Sequence, residues 1–238
     1  TFNENVTMKK ILAALLLTLP TMAVAIDLEG YYITAKGGAS KTFNTGTTNV
    51  IDGATFYLQD EDLGTGSAFG FSVGKYLTDN FRLELEAIKR TGYEYDAVFQ
   101  SAPNLAEKAK IETQALFING FYDFQPFFLR NTAITPYLGG GVGISRNKMG
   151  IDVQHINGIP DVKTVDGNTI NQFAFKLSAG TLFSLTEQLS LDVNYQYANL
   201  GAFKGGTAIY NNGVFVGNLQ RGINGGEIKS QELMVVVN

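Results

Sequence analysis

The stretch Leu189-Ser190-Leu191-Asp192-Val193-Asn194-Tyr195-Gln196-Tyr197 alternates apolar and polar residues without a break. Successive side chains of a β-strand point to opposite faces. Leu189, Leu191, Val193, Tyr195 and Tyr197 therefore share one face, and Ser190, Asp192, Asn194 and Gln196 the other. A strand with one greasy and one wet side suits a half-exposed soluble sheet as well as a stave of a membrane barrel. What decides the fold is that the pattern recurs.

Eight segments read as strands. Segment 29–40 sets Tyr31, Ile33, Ala35 and Ala39 against Tyr32, Thr34, Lys36 and Ser40. Segment 67–77 has an ambiguous facing, because Phe69, Phe71 and Val73 share a parity with Lys75. After the turn signal Thr78-Asp79-Asn80, segment 81–91 opposes Phe81, Leu83, Leu85 and Ala87 to Arg82, Glu84, Glu86 and Arg90. Segment 111–124 is less regular, with Phe117, Asn119 and Phe121 on one face. Segment 133–146 carries Ile134, Pro136, Leu138, Val142 and Ile144 against Thr135, Tyr137 and three glycines. Segment 171–185 sets Phe173, Phe175, Leu177, Ala179 and Phe183 against Gln172, Lys176, Ser178 and Ser184. The turn Thr186-Glu187-Gln188 leads into the opening stretch, and 228–238 is the last strand.

The connections at 78–80, 124–131 and 186–188 are short. Those at 41–66, 93–110, 147–169 and 202–226 are long and rich in Gly, Asn, Thr and Asp. Short turns at one end and long loops at the other mark an up-and-down barrel of the outer membrane. Eight strands of about ten residues match the smallest such barrels. The expected fold is all-β: an eight-stranded antiparallel up-and-down transmembrane β-barrel with short periplasmic turns and long extracellular loops.

The rest of the chain agrees with export. Residues 1–7 precede Met8 and read as lying upstream of the start. A basic pair (Lys9, Lys10), an apolar run over 11–19 and the small-residue exit Ala23-Val24-Ala25 form a Sec-type signal peptide, with cleavage expected after Ala25. A membrane anchor is the alternative, but the run is short and Pro20 interrupts it. The expected organisation is 1–25, upstream residues plus signal peptide, and 26–238, one barrel domain. Without Glu4, Lys9 and Lys10 the net charge of −4 becomes −5, and no basic cluster points to nucleic acid. There is no cysteine, hence neither a disulfide frame nor a thiolate metal site.

Alternation alone does not say whether the apolar face looks into a soluble barrel or out into lipid. Three features favour lipid. Aromatic residues (Tyr31, Tyr76, Phe81, Phe124, Phe127, Phe128, Tyr195, Tyr197) gather near strand ends, as in membrane girdles. The apolar faces carry no charge over four or five positions, close to a band about 25 Å tall. The polar faces supply both signs of charge. The lipid-facing set is expected to include Leu83, Leu85, Leu138, Val142, Phe173, Phe175, Leu177, Leu191, Val193 and Tyr195. The lumenal charge network is expected to be Lys36, Arg82, Glu84, Glu86, Arg90, Lys176, Asp192 and Glu232, since buried charge must be paired.

Ordered motifs carry a resemblance. Gly70-Phe71-Ser72-Val73-Gly74-Lys75-Tyr76 with Arg82-Leu83-Glu84-Leu85-Glu86, then Asn119-Gly120-Phe121-Tyr122-Asp123-Phe124, Pro136-Tyr137-Leu138-Gly139-Gly140-Gly141-Val142-Gly143, Ala179-Gly180 and Leu191-Asp192-Val193-Asn194-Tyr195-Gln196-Tyr197 follow one another. Together they resemble the opacity-type, outer-membrane-protein-A-like eight-stranded β-barrel family of Gram-negative bacteria. The resemblance implies a surface antigen, adhesin or envelope-structural protein without enzymatic activity. Its implied partners are outer-membrane lipid, lipopolysaccharide, the barrel-assembly machinery and a host or cell-surface ligand met by the loops. The family ends on an aromatic residue read by the assembly machinery, whereas this sequence stops at Met234-Val235-Val236-Val237-Asn238.

Candidate chemistry is sparse. The glycine run at 139–143 is followed by neither Lys-Ser/Thr nor a helix, so it reads as relief of crowding in a tight barrel rather than a phosphate loop. His155 is the single histidine, in a long loop without His or Cys partners, a poor base and a poor metal site. Glu84 and Glu86 share a strand face, which suits acid–base chemistry less well than ion pairing with Arg82, Arg90, Lys176 and Lys36. No catalytic, cofactor or metal residue is expected. Contact surfaces are expected in the loops, at Tyr93, Tyr95 and Phe99, at 42–57 and at 209–215. A small pore, a lipid-modifying barrel enzyme and a soluble lipocalin-like carrier are the alternatives.

Overall fold

Every alternating stretch of the sequence is a strand in the computed structural model, which describes residues 30–43, 48–51, 54–58, 62–99, 102–130, 132–156, 163–219 and 224–238. The expected signal peptide lies outside the described residues. In chain order the strands are β1 (Tyr31–Thr42), β2 (Thr48–Ile51), β3 (Ala54–Leu58), β4 (Thr65–Tyr76) and β5 (Phe81–Phe99). Next come β6 (Ala102–Asp123), β7 (Phe127–Leu129), β8 (Thr132–Met149), β9 (Asp152–Ile156) and β10 (Lys163–Val165). The last are β11 (Asn168–Ser184), β12 (Ser190–Lys204), β13 (Ala208–Asn211), β14 (Val214–Asn218) and β15 (Asn224–Val237).

Eight of these strands close a barrel. The antiparallel pairs run β1–β4, β4–β5, β5–β6, β6–β8, β8–β11, β11–β12 and β12–β15, and β15 returns to β1. Closure leaves no unpaired edge along the staves, which a hydrocarbon surround demands because it offers backbone groups no water. The two irregular segments now have a facing. Phe69, Phe71 and Val73 point outward and are more than half exposed. Phe117, Asn119 and Phe121 point inward and are buried, leaving Leu116, Ile118 and Tyr122 outside.

Lumenal bulk on β6 is accommodated by glycine on β8. A Cβ at Gly141 would lie 2.0 Å from Asn119 Oδ1, and one at Gly143 would lie 1.9 Å from the Leu116 carbonyl oxygen. The glycine run is therefore a strand segment that makes room, with no phosphate-loop geometry.

The long connections differ from the expected loops. β5 and β6 continue beyond the barrel, β3 pairs with β5, and β2 with β3. On the other side β9 adds to β6, β10 to β9, β13 to β10 and β14 to β13. The outcome is an antiparallel sheet in the order β2-β3-β5-β6-β9-β10-β13-β14 above the barrel. Added strands satisfy backbone donors and acceptors that the protruding ends of β5 and β6 would otherwise present at two bare edges.

Bulges mark the level at which strands leave the barrel. The β5/β6 register slips between Arg90 and Tyr93, with Gly92 at φ +92°. One extra residue switches the inward parity from even to odd, so Tyr93 and Tyr95 turn inside. Gly201, at φ +71°, does the same on β12 and turns Phe203 inside. Above the polar lumen these residues join Leu63, Ile111, Met149, Leu200 and Ile228 in a fully buried apolar cluster.

Candidate functional site

The inward side chains form three storeys of polar contacts. At the short-turn end, Arg82 Nε donates to both carboxylate oxygens of Asp123 at 3.1 Å. Its guanidinium carbon lies 4.2 Å from the Phe121 ring centre and 4.7 Å from that of Tyr137. Beside it the Tyr137 hydroxyl donates to Asp192 at 2.8 Å, and Asn194 Nδ2 donates to the same carboxylate at 3.2 Å.

In the middle storey Lys36 Nζ reaches Glu84 at 2.9 Å and Glu86 at 2.5 Å, and Lys176 Nζ lies 2.7 Å from Glu86. Asn119 Nδ2 spans the two carboxylates at 3.4 and 3.3 Å. In the top storey Arg90 makes two bonds to Glu232, at 2.5 and 3.1 Å. Ser40 and Ser230 each donate to Glu232 at 2.9 Å. All these charges are nearly or wholly withdrawn from solvent, so each depends on its partner.

Of the expected charge network, Lys36, Glu84, Glu86 and Lys176 come together, and Arg90 meets Glu232. Three expected pairings differ. Arg90, expected beside Glu84 and Glu86, bonds to Glu232 instead. Arg82 turns to Asp123, which sequence reasoning passed over although it shares the inward parity of Phe117, Asn119 and Phe121. Asp192, expected in the charge network, has Tyr137 and Asn194 as its partners rather than a cation. Parity says which residues enter the lumen, whereas the partner across it depends on how far each stave is staggered.

The expected lipid-facing residues all point outward. Leu83, Leu85, Leu138, Val142, Phe173, Leu177, Val193 and Tyr195 are exposed, and Phe175 and Leu191 are half-buried. Phe175 and Tyr197 lie ring to ring at 6.0 Å on this outer wall.

The contact surface needs correction. Tyr93 and Tyr95 were expected in an exposed loop, but the Gly92 bulge turns both inside, and they are 0% and 1% exposed. The side chains of Phe99 and His155 lie outside the described residues, as do those at 44–57. Among the described residues of the expected surfaces, the β13–β14 hairpin, turned at Asn212-Gly213, faces outward, with Val214, Phe215 and Val216 each more than half exposed. Within this sheet, at the start of β9, Asp152 is buried, and no hydrogen bond of normal geometry reaches either carboxylate oxygen. Burial, offset only in part by the Val153 amide, pushes its carboxyl up to about 7. Among the described residues no group of three or more His, Cys, Asp or Glu side chains is arranged to hold a metal ion.

The chain matches the family described as outer membrane protein beta-barrel domain over residues 11–221. It is 28% identical over 199 residues to outer membrane protein PagN of Salmonella typhimurium, covering 75% of this chain and 78% of PagN. It is 26% identical over 168 residues to putative adhesin RC1281 of Rickettsia conorii, covering 67% of this chain and 65% of that one. The crystal structure of Neisserial surface protein A superposes with a TM-score of 0.50 at 15% identity, covering 87% of this chain and 95% of that one, and so shares the fold. A closed eight-stranded barrel with an apolar outer wall and a match over most of its length places the chain in the outer membrane protein β-barrel domain family, and the protein in the outer membrane.

Proposed function

We propose that the protein is a non-enzymatic adhesin of the outer membrane. The apolar outer wall, from Leu83 and Leu85 round to Val193 and Tyr195, lies in lipid. The ion-paired lumen stiffens the barrel, and the extracellular sheet meets a ligand on another cell. Insertion belongs to the barrel-assembly machinery. The observation that carries this reading is the sheet built on the protruding ends of β5 and β6, which ends in a hairpin exposing Val214, Phe215 and Val216. Exposed apolar side chains on a rigid, protruding scaffold are typical of contact surfaces. The similarity to a putative adhesin supports the same reading.

The test is gain of adherence. Displayed on a non-adherent Gram-negative host, the protein is expected to raise binding to epithelial monolayers. The triple substitution Val214→Ser, Phe215→Ser and Val216→Ser is expected to remove most of that gain at equal surface display. Adherence that survives the triple substitution moves the contact away from this hairpin, and no gain with the unaltered protein overturns the adhesin reading.

A further inference from the structure

We propose that Asn212-Gly213, the tip of the β13–β14 hairpin, is a site of spontaneous chemical modification that switches the neighbouring apolar surface off as the protein ages. The modification needs no ligand; its effect on binding rests on the adhesin reading above. Asn211 pairs with Val214, so Asn212 and Gly213 are the two residues of a tight turn. Both have positive φ, +48° and +80°, as the type I′ hairpin turn requires. In such a turn only the fourth residue, Val214, must donate its N–H across the chain. The Gly213 N–H donates to none of the described residues. Nothing lies within 4 Å of where a Cβ on Gly213 would stand, and both turn residues are exposed. A main-chain nitrogen thus sits next in sequence to an amide carbon, with open space between them.

The Gly213 nitrogen, having given its proton to solvent, attacks Asn212 Cγ. The N–Cγ bond forms, the Cγ–Nδ2 bond breaks, and ammonia leaves with a proton from water, closing a five-membered succinimide. Water then opens the ring at one carbonyl or the other, leaving aspartate or isoaspartate. The attack requires the turn to open. That opening is local and cheap, because β14 pairs only with β13 and its apolar side chains are exposed. The same dipeptide at Asn119-Gly120 is held fast. Asn119 is buried with its amide on Glu84 and Glu86, and Gly120 lies in the ladder between Leu83 of β5 and Gly140 of β8. Residues 205–220 contain no Asp, Glu, Lys or Arg, so either product puts the first charge beside Val214, Phe215 and Val216. Isoaspartate also adds a main-chain carbon. A two-residue turn has no room for it, so β14 loses its register against β13.

Ageing the folded protein in phosphatidylcholine vesicles at mildly alkaline pH tests the site. Trypsin cuts after Lys204 and Arg221, so one peptide, 205–221, carries the turn, and another, 111–130, carries Asn119. Tandem mass spectrometry is expected to show a gain of one mass unit at Asn212, with a sample taken before ageing correcting for conversion during digestion. Conversion at Asn119 is expected to be about a hundredfold slower or more, because that strand opens only with the barrel. Methyl transfer by an isoaspartate methyltransferase is expected to label the aged 205–221 peptide and not the fresh one. Vesicles carrying aged protein are expected to lose most of the binding to epithelial monolayers that fresh protein gives. Asn212→Gly keeps a residue suited to the turn and removes the amide, and its binding is expected to survive ageing. An unchanged Asn212, or Asn119 converting as fast, overturns the site; conversion with binding intact overturns the switch. Fresh vesicles that do not bind overturn the adhesin reading and the switch with it, and the masses still decide whether the site exists.

Discussion

Glu86 is wholly buried and held by two ammonium groups, whereas Lys36 has Glu84 as a second partner and Lys176 does not. That asymmetry gives a sharp expectation. Glu86→Ala strands Lys176 in the lumen and should cost about 3–5 kcal/mol, read as a lower urea midpoint in lipid vesicles. Adding Lys176→Met should restore much of the loss, because the uncompensated charge is gone. Asp152 titrates outside the membrane, and its sign runs the other way from a salt-bridged carboxylate. Its folded pKa, about 7, lies above the usual value of 3.8, so the protonated form favours the folded sheet. The contribution is complete below about pH 4 and is lost as pH rises through 7. Asp152→Asn should therefore protect the extracellular sheet from protease at pH 8 and leave its resistance at pH 4 nearly unchanged. Inward parity made Lys36, Glu84, Glu86 and Lys176 legible in the sequence. The burial of Asp152 was not, because it depends on neighbouring strands that only tertiary pairing brings beside it.

At the scale of elements, glycine bulges decide where barrel gives way to sheet. Gly92 has a backbone conformation that other residues rarely adopt, and the β5/β6 register shifts around it. Gly92→Ala should cost about 1–3 kcal/mol, seen in the unfolding midpoint, with insertion into membranes retained. The bulge also explains why 93–110 looked like a loop. Tyr93-Glu94-Tyr95-Asp96-Ala97 alternates correctly, but one extra residue puts it out of phase with 81–90, so the two stretches do not read as one strand. Short strands such as β9, β10 and β13 have too few residues for periodicity to register. They exist because a neighbouring edge is available to pair with.

The whole molecule is closed twice along its axis, once by the ion-paired storeys and again by the apolar cluster of Tyr93, Ile111, Met149, Leu200, Phe203 and Ile228. An ion entering this lumen would have to shed its water and displace the existing ion pairs. Planar bilayers containing the protein should therefore show no reproducible single-channel steps, and regular steps of one amplitude would contradict a sealed lumen. Rigidity is the benefit of that closure. It holds the bases of β5 and β6 still, and with them the sheet that projects beyond the membrane.

The sequence by itself determined the eight staves and, on most of them, which residues share a face, because alternation is a local property of the strand backbone. It also exposed the balance of charges on the inner face. Tertiary structure decided the rest. It chose Asp123 for Arg82 and Tyr137 for Asp192, turned Tyr93 and Tyr95 from surface to core, and made a sheet of four apparent loops. Each of those outcomes depends on stagger between staves or on an edge supplied by a distant strand, and neither is written in the pattern of any one segment.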